Sequence, residues 1–177
     1  MENKKIATIL GTEVIIARSA LIASIVLWVV LFAFCIFFTS WTMLANILFS
    51  VFAVLLYWMG AVLHHLGHVI AARQTGYPMQ AIRLWGLIGT DIYPKNEPDL
   101  PADTHLYRAI GGPIFSLGMS FLGLLLTFFL QPLGDIAVYL AVFFAAVNFF
   151  VFCLGALLPL GFTDGSTIIK YWRLREK

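Results

Sequence analysis

Three histidines fall within five residues of an otherwise apolar stretch, Ala61-Val62-Leu63-His64-His65-Leu66-Gly67-His68-Val69-Ile70-Ala71-Ala72. On a helix, His64 and His68 stand at i and i+4, one above the other on one face. That spacing lets a helix offer two imidazole nitrogens to one tetrahedral zinc ion. His65 and His68, at i and i+3, also share a face, so more than one pair can act together. Ionisable groups near a membrane are costly and usually functional, which favours metal or cofactor binding over a structural role for this cluster.

A third ligand has one good source. Asp164 lies in Leu158-Pro159-Leu160-Gly161-Phe162-Thr163-Asp164-Gly165, just past the fourth apolar run of the chain. Two histidines and a carboxylate are a standard set for catalytic zinc, leaving a fourth position for water. Taken alone, Asp-Gly reads as a turn. His105, at the start of a third helix, is an additional candidate, and Glu97 is a loop carboxylate that could fold over the site. Asn148, in the middle of the fourth run, reads as hydrogen-bonding glue between helices; in a continuous helix it would lie about 24 Å along the axis from Asp164.

The elements that must position these residues are membrane spans. The chain of 177 residues is 61% hydrophobic and 11% charged. Uncharged runs begin at Ser19, Trp41, Ala109 and Ile136, each long enough for a hydrocarbon core of roughly 30 Å. The predicted spans are about 19–38, 41–72, 105–130 and 136–160. The first run is too long for a removable signal peptide and lacks a small-residue cleavage site, so a retained helix is expected. With four crossings, all 11 Lys and Arg residues fall on one side of the membrane. The positive-inside rule then puts both termini and the long middle loop in the cytoplasm. The net charge of +2 calls for no nucleic-acid partner, only some affinity for anionic lipid.

The expected fold is an all-α membrane protein, one domain over 1–177, with four transmembrane helices and a cytoplasmic loop holding a short β-hairpin. The hairpin is placed at Ile82 to Tyr93, rich in β-branched and aromatic residues, with glycines where a turn could form. A proline-punctuated extended loop follows to Pro101, and Thr104 is the expected cap of the third helix. Gly112, Ser116 and Ser120 recur every fourth residue and make a small-residue face for close approach of another helix, expected to be the histidine helix. Cys35 and Cys153 sit at different depths and read as buried apolar residues, not a disulfide.

The histidine helix, Gly112-Pro113, and Leu158-Pro159 followed by Asp164-Gly165 together resemble the site-2 proteases, the membrane-embedded zinc metalloproteases of peptidase family M50. That family carries H-E-x-x-H, then G-P-x-x-N, then a proline followed five residues later by the aspartate of L-D-G. The resemblance covers roughly residues 44 to 170, with the first span an addition to a three-helix core. It implies one zinc ion held by His64, His68 and Asp164, and a transmembrane or membrane-proximal peptide as substrate or partner. It also implies a strand region, with Ile82, Leu84, Leu87 and Ile88, that pairs with an unwound substrate. Cleavage inside a helix requires such pairing, because the freed backbone groups must be satisfied in an apolar setting.

Two positions depart from the family pattern. His65 stands in the place of the general-base glutamate, and Ser116 in the place of the asparagine thought to position substrate or stabilise its oxyanion. Thr163 replaces the leucine of L-D-G. Loss of the base together with a weaker electrophilic helper argues against ordinary family catalysis and implies impaired or absent proteolysis. An imidazole at position 65 can accept a proton, but its cationic form is disfavoured beside a zinc ion. Alternatively, His65 joins His68, Asp164 and His105 in a closed structural or regulatory site.

A reading from another class is a non-catalytic membrane protein that binds haem or metal, with His68 and His105 as axial ligands from two helices. The same histidine cluster could instead bind partner membrane segments without cutting them. A purely structural membrane protein comes third.

Overall fold

The computed structural model describes residues 4–175. Four helices are long and apolar enough to cross a membrane: Arg18–Phe38, Met43–Gln74, Ala102–Leu133 and Asp135–Gly155. We label the first two α1 and α2. The third is α3 (Ala102–Leu130), ended by a 3-10 turn at Gln131–Leu133; the fourth is α4 (Asp135–Ala146), which continues as a π-helix over Val147–Gly155. A last helix, α5 (Asp164–Arg175), is amphipathic and carries arginines in its final turn.

The structure differs from the sequence expectation in three respects. The fourth crossing stops at Gly155 instead of 160, and an irregular segment leads to Asp164, so the continuous helix behind the 24 Å separation does not exist. Thr104 does not cap α3. The helix starts behind Pro101, whose carbonyl already accepts the Thr104 N–H at 3.0 Å, and whose fixed φ suits a helix entry. The third difference is a second hairpin at the N-terminus.

That hairpin, β1 (Lys4–Ile9) and β2 (Thr12–Ile16), turns at Leu10-Gly11, both at positive φ as a tight two-residue turn requires. The predicted middle hairpin is present as β3 (Ala81–Trp85) and β4 (Ile88–Ile92). The two merge into one sheet, ordered β1-β2-β3-β4, because β2 pairs in parallel with β3, Glu13 opposite Ala81 and Ile16 opposite Leu84. β4 is left at the edge.

Helix α2 has 32 residues, about 48 Å at 1.5 Å per residue, and outruns a hydrocarbon core of roughly 30 Å. Its last turns carry the sheet. Val69 and Ala72 pack with Val14, Met79, Ile82 and Leu84 in one apolar cluster. The tip of the second hairpin is tied back to α2 by the Tyr57 hydroxyl, which donates to the Leu87 carbonyl at 2.5 Å. His64 lies about 32 Å along α2 from Met43, where the apolar part of the helix gives way to the sheet.

Close helix packing rests on small residues. A Cβ on Gly67 would collide with the Gly111 carbonyl and come within 2.6 Å of Phe115 Cβ, so α2 and α3 touch backbone to backbone there. Gly112, Ser116 and Ser120 are all buried, and the first two meet the histidines of α2, as their spacing predicts. Cys35 and Cys153 are both buried and free.

Candidate metal centre

Helix α2 turns His64, His65 and His68 inward, and all three are buried. Two of them have their orientation fixed from α3. His64 Nδ1 lies 3.1 Å from Ser116 Oγ, and His68 Nδ1 lies 2.8 Å from the Arg108 carbonyl. With each Nδ1–H donating, each Nε2 presents a lone pair, the arrangement by which outer partners set a metal-binding tautomer. Gly112 makes this possible, since a Cβ there would collide with both imidazoles.

The two Nε2 atoms and Asp164 Oδ2 converge. His64 Nε2 to His68 Nε2 is 3.1 Å, His64 Nε2 to Asp164 Oδ2 is 3.2 Å, and His68 Nε2 to Asp164 Oδ2 is 3.3 Å. Ligands of a tetrahedral zinc at 2.0–2.1 Å stand about 3.3 Å apart, so this near-equilateral triangle has the size of one face of such a site. Asp164 Oδ2 is buried and makes no hydrogen bond. Burial opposes ionisation of Asp164, but the His64 and His68 imidazoles outweigh it and hold the carboxyl well below the usual carboxylate range. A buried carboxylate oxygen and two imidazole nitrogens at these spacings are a donor set that fits a divalent cation.

Asp164 owes its position to the break in the fourth crossing. Gly165 N–H donates to the Ala156 carbonyl at 2.9 Å, and the Thr163 hydroxyl donates to the Leu158 carbonyl. A Cβ on Gly165 would run into the Leu157 carbonyl, so glycine after the aspartate lets the chain fold back under the π-helix.

His65 takes no part in that triangle. Its Nδ1 lies 2.7 Å from Asp91 Oδ1, on β4, and its ring packs so tightly on the strand that a Cβ at Gly89 would overlap Nε2. Asp91 Oδ2 in turn lies 3.9 Å from His68 Nε2. His65, His68 and Asp91 thus form a second group of potential ligands that shares His68 with the first. Burial disfavours the Asp91 carboxylate, yet His68 and His65 together hold its carboxyl below the usual range. Sequence reasoning missed Asp91, which sits 26 residues from His65 in a strand with no motif. The only signal was a carboxylate inside a predicted hairpin that was otherwise apolar and aromatic.

The other candidates are placed less centrally. Ser116 is fully buried and spends its hydroxyl on His64, an orienting contact rather than one open to substrate. His105 stacks on Tyr171 with ring centroids 3.9 Å apart; it lines the cavity beside the triangle without joining it. His68 has both ring nitrogens directed elsewhere, which leaves none aimed at a haem shared with His105. Glu97 does lie over the site, but Arg108 holds its carboxylate by two hydrogen bonds of 2.6 and 3.1 Å and keeps it below the usual range. Ile82 and Leu84 are buried in the sheet core, whereas Leu87 and Ile88 line a groove beside the triangle. Asn148 is buried and bonds the Phe144 carbonyl of its own helix.

Four helices of membrane-spanning length, a small sheet at one end and a His-His-Asp donor triad define a class of membrane-type α-helical protein with a metal-type centre. The fold is similar to that of a site-2 protease from Methanocaldococcus jannaschii, with a TM-score of 0.64 and 21% sequence identity over 99% of this chain and 73% of that one. No protein-family model matches the sequence, and no curated protein matches it significantly. The likeness is one of fold.

Proposed function

We propose that the protein is a membrane-embedded, zinc-dependent peptidase of the site-2 type, in which Asp91 does the proton work that a glutamate at position 65 would do. The observation that carries this reading is the triangle of His64 Nε2, His68 Nε2 and Asp164 Oδ2, with edges of 3.1 to 3.3 Å. These three residues would hold the ion, which when bound supplies Lewis acidity for the attacking water and the scissile carbonyl.

The remaining steps fall to the chain itself. Asp91 Oδ2, 3.9 Å from His68 Nε2, lies beside the triangle and outside its 3.1 to 3.3 Å edges. There it accepts the proton of the attacking water and returns it to the leaving nitrogen. His65 donates Nδ1–H to Asp91 Oδ1 and holds the carboxylate in place. A carboxylate becomes neutral as it takes the proton, which suits a site beside a cation better than an imidazole becoming charged. The His at position 65 therefore does not remove the base; the base comes from the strand.

Substrate is a transmembrane or membrane-proximal segment, unwound and paired with the edge of β4, whose backbone groups replace the helical hydrogen bonds it gives up. Both termini and the sheet lie on the cytoplasmic side, in keeping with the Lys and Arg distribution. The test is cleavage of a model single-span substrate by the purified, zinc-loaded protein in detergent. Native protein should cleave and a chelator should stop it, while Asp91→Asn should keep its zinc and lose cleavage. Zinc-loaded native protein that leaves the substrate intact would overturn the reading.

A further inference from the structure

Two cavities reach the triangle, one with His68 and Asp164 in its lining and the other with His64 and Asp164. The first, about 300 Å³, is the more polar of the two, with Thr90, Asp91, Tyr93, Glu97, His105 and Arg108 in its lining. The second, about 280 Å³, is a groove with Tyr57, Leu87, Ile88, Val151, Phe152 and Ala156 in its walls. They share five residues: His65, Gly89, Phe162, Thr163 and Asp164. Strand β4 runs through both. Leu87 and Ile88 face the apolar groove, Thr90 and Asp91 face the polar cavity, and Gly89 lies where the two meet.

Gly89 is also the residue on which the His65 ring packs, and Asp164 stands across the same junction. A peptide extended along the β4 edge advances about 3.4 Å per residue and so passes from one cavity to the other within two or three residues. Its reacting bond then lies at the change of lining. Apolar side chains gain by leaving water for the groove, and polar ones would lose their hydrogen bonds there. In the polar cavity the balance reverses. Arg108 adds no net anion preference, since Glu97 and the Tyr77 carbonyl already occupy its guanidinium, which stacks 4.3 Å from the Tyr93 ring.

We infer that the site selects an extended peptide at an apolar-to-polar junction, its apolar residues in the groove beside Leu87 and Phe152, its polar residues in the cavity beside Thr90 and Tyr93, and its reacting bond at Gly89. The inference rests on the peptidase reading and specifies its substrate: the end of a transmembrane segment, where apolar sequence gives way to polar sequence, and not its middle.

The test uses single-span peptides in which a Leu/Ala/Phe block is followed by a Ser/Asn/Gln block, with a benzophenone amino acid on one or the other side of the junction. Photo-labelling of the full-length zinc-loaded protein, followed by peptide mapping, should place the apolar-side probe on the Tyr57, Leu87 and Phe152 wall. The polar-side probe should label the Thr90, Tyr93 and His105 wall. Ala156→Trp, which fills the groove, should abolish the first labelling and spare the bound zinc. Labelling that ignores the side of the junction would overturn the inference, even in a chain that cuts nothing. Where the peptide is cleaved, moving the junction by several residues should move the cut with it, and a cut that stays in place would also overturn it. Failure of the peptidase reading shows separately, as zinc-loaded protein that binds these peptides at the junction and leaves them whole.

Discussion

His65 Nδ1 stands 2.7 Å from Asp91 Oδ1, and that contact joins the metal-type helix to the edge strand of the sheet. It sets a carboxylate beside the His64, His68 and Asp164 triangle without adding it to the ligand set. The positions of the proposed base and of the candidate ligands thus depend on how α2 and β4 pack, not on one helical motif.

Replacing Asp91 by Asn keeps the shape and removes the proton acceptor. Turnover of a model transmembrane substrate should fall on the order of 10²-fold or more, with zinc content unchanged. His65→Glu alone sets two carboxylates against each other and should also impair the protein. The double variant His65→Glu with Asp91→Asn should recover activity relative to Asp91→Asn, because it returns a carboxylate to the helix. Equal activity of Asp91→Asn and native protein would remove Asp91 from the mechanism.

Gly89 is the point of closest approach between β4 and His65. Gly89→Ala must displace either the ring or the strand, since the added Cβ would overlap the imidazole. Overpacking of this kind costs about 1–3 kcal/mol, and here it also breaks the His65–Asp91 contact. A lowered melting temperature with lost cleavage and retained zinc is the expected result; an unchanged variant would show that the strand does not sit on His65.

The α2–α3 contact at Gly67 and Gly111 has no room for a side chain. Gly67→Leu should separate the two helices, on which the Ser116 and Arg108 contacts to His64 and His68 depend. Thermal melting in detergent should show destabilisation, and zinc affinity should drop with it. Gly118 of α3, where a Cβ meets open space, is the matched control.

Glu97 and Arg108 tie the loop over the polar cavity to α3. Arg108 lowers the Glu97 carboxyl from its ordinary value of 4.5. The folded-state value is depressed, so the contribution is fully present above pH 4.5 and is lost as pH falls through the lower folded value. Melting temperature against pH should decline below 4.5 in native protein, and less steeply in Glu97→Gln. Parallel curves would show that the pair does not support the fold.

Much of the site was legible in the sequence because helical periodicity is local. The i, i+4 spacing places His64 and His68 on one face, the four apolar runs bring Asp164 to the same end of the bundle, and the spacing of Gly112, Ser116 and Ser120 marks the packing face. Asp91 was not legible, because its partnership with His65 follows from the register of β4 and from Gly89 packing on the ring. The N-terminal hairpin was hidden for a similar reason. Lys4–Ile9 and Thr12–Ile16 are short and flank a span, and what secures them is a parallel pairing with β3, distant in sequence. The stop at Gly155 reflects the π-helix and the Ala156 to Gly165 fold-back, which depend on contacts that no hydropathy pattern records.

The most direct measurement of the central claim is the metal content of the purified protein and three variants, read by mass spectrometry of the metal after exhaustive washing. Native protein and Asp91→Asn should each retain one zinc per chain, whereas His64→Ala and Asp164→Ala should retain none while keeping native helix content. A native protein that holds no zinc, or a His64→Ala and an Asp164→Ala variant that keep theirs, would contradict the account.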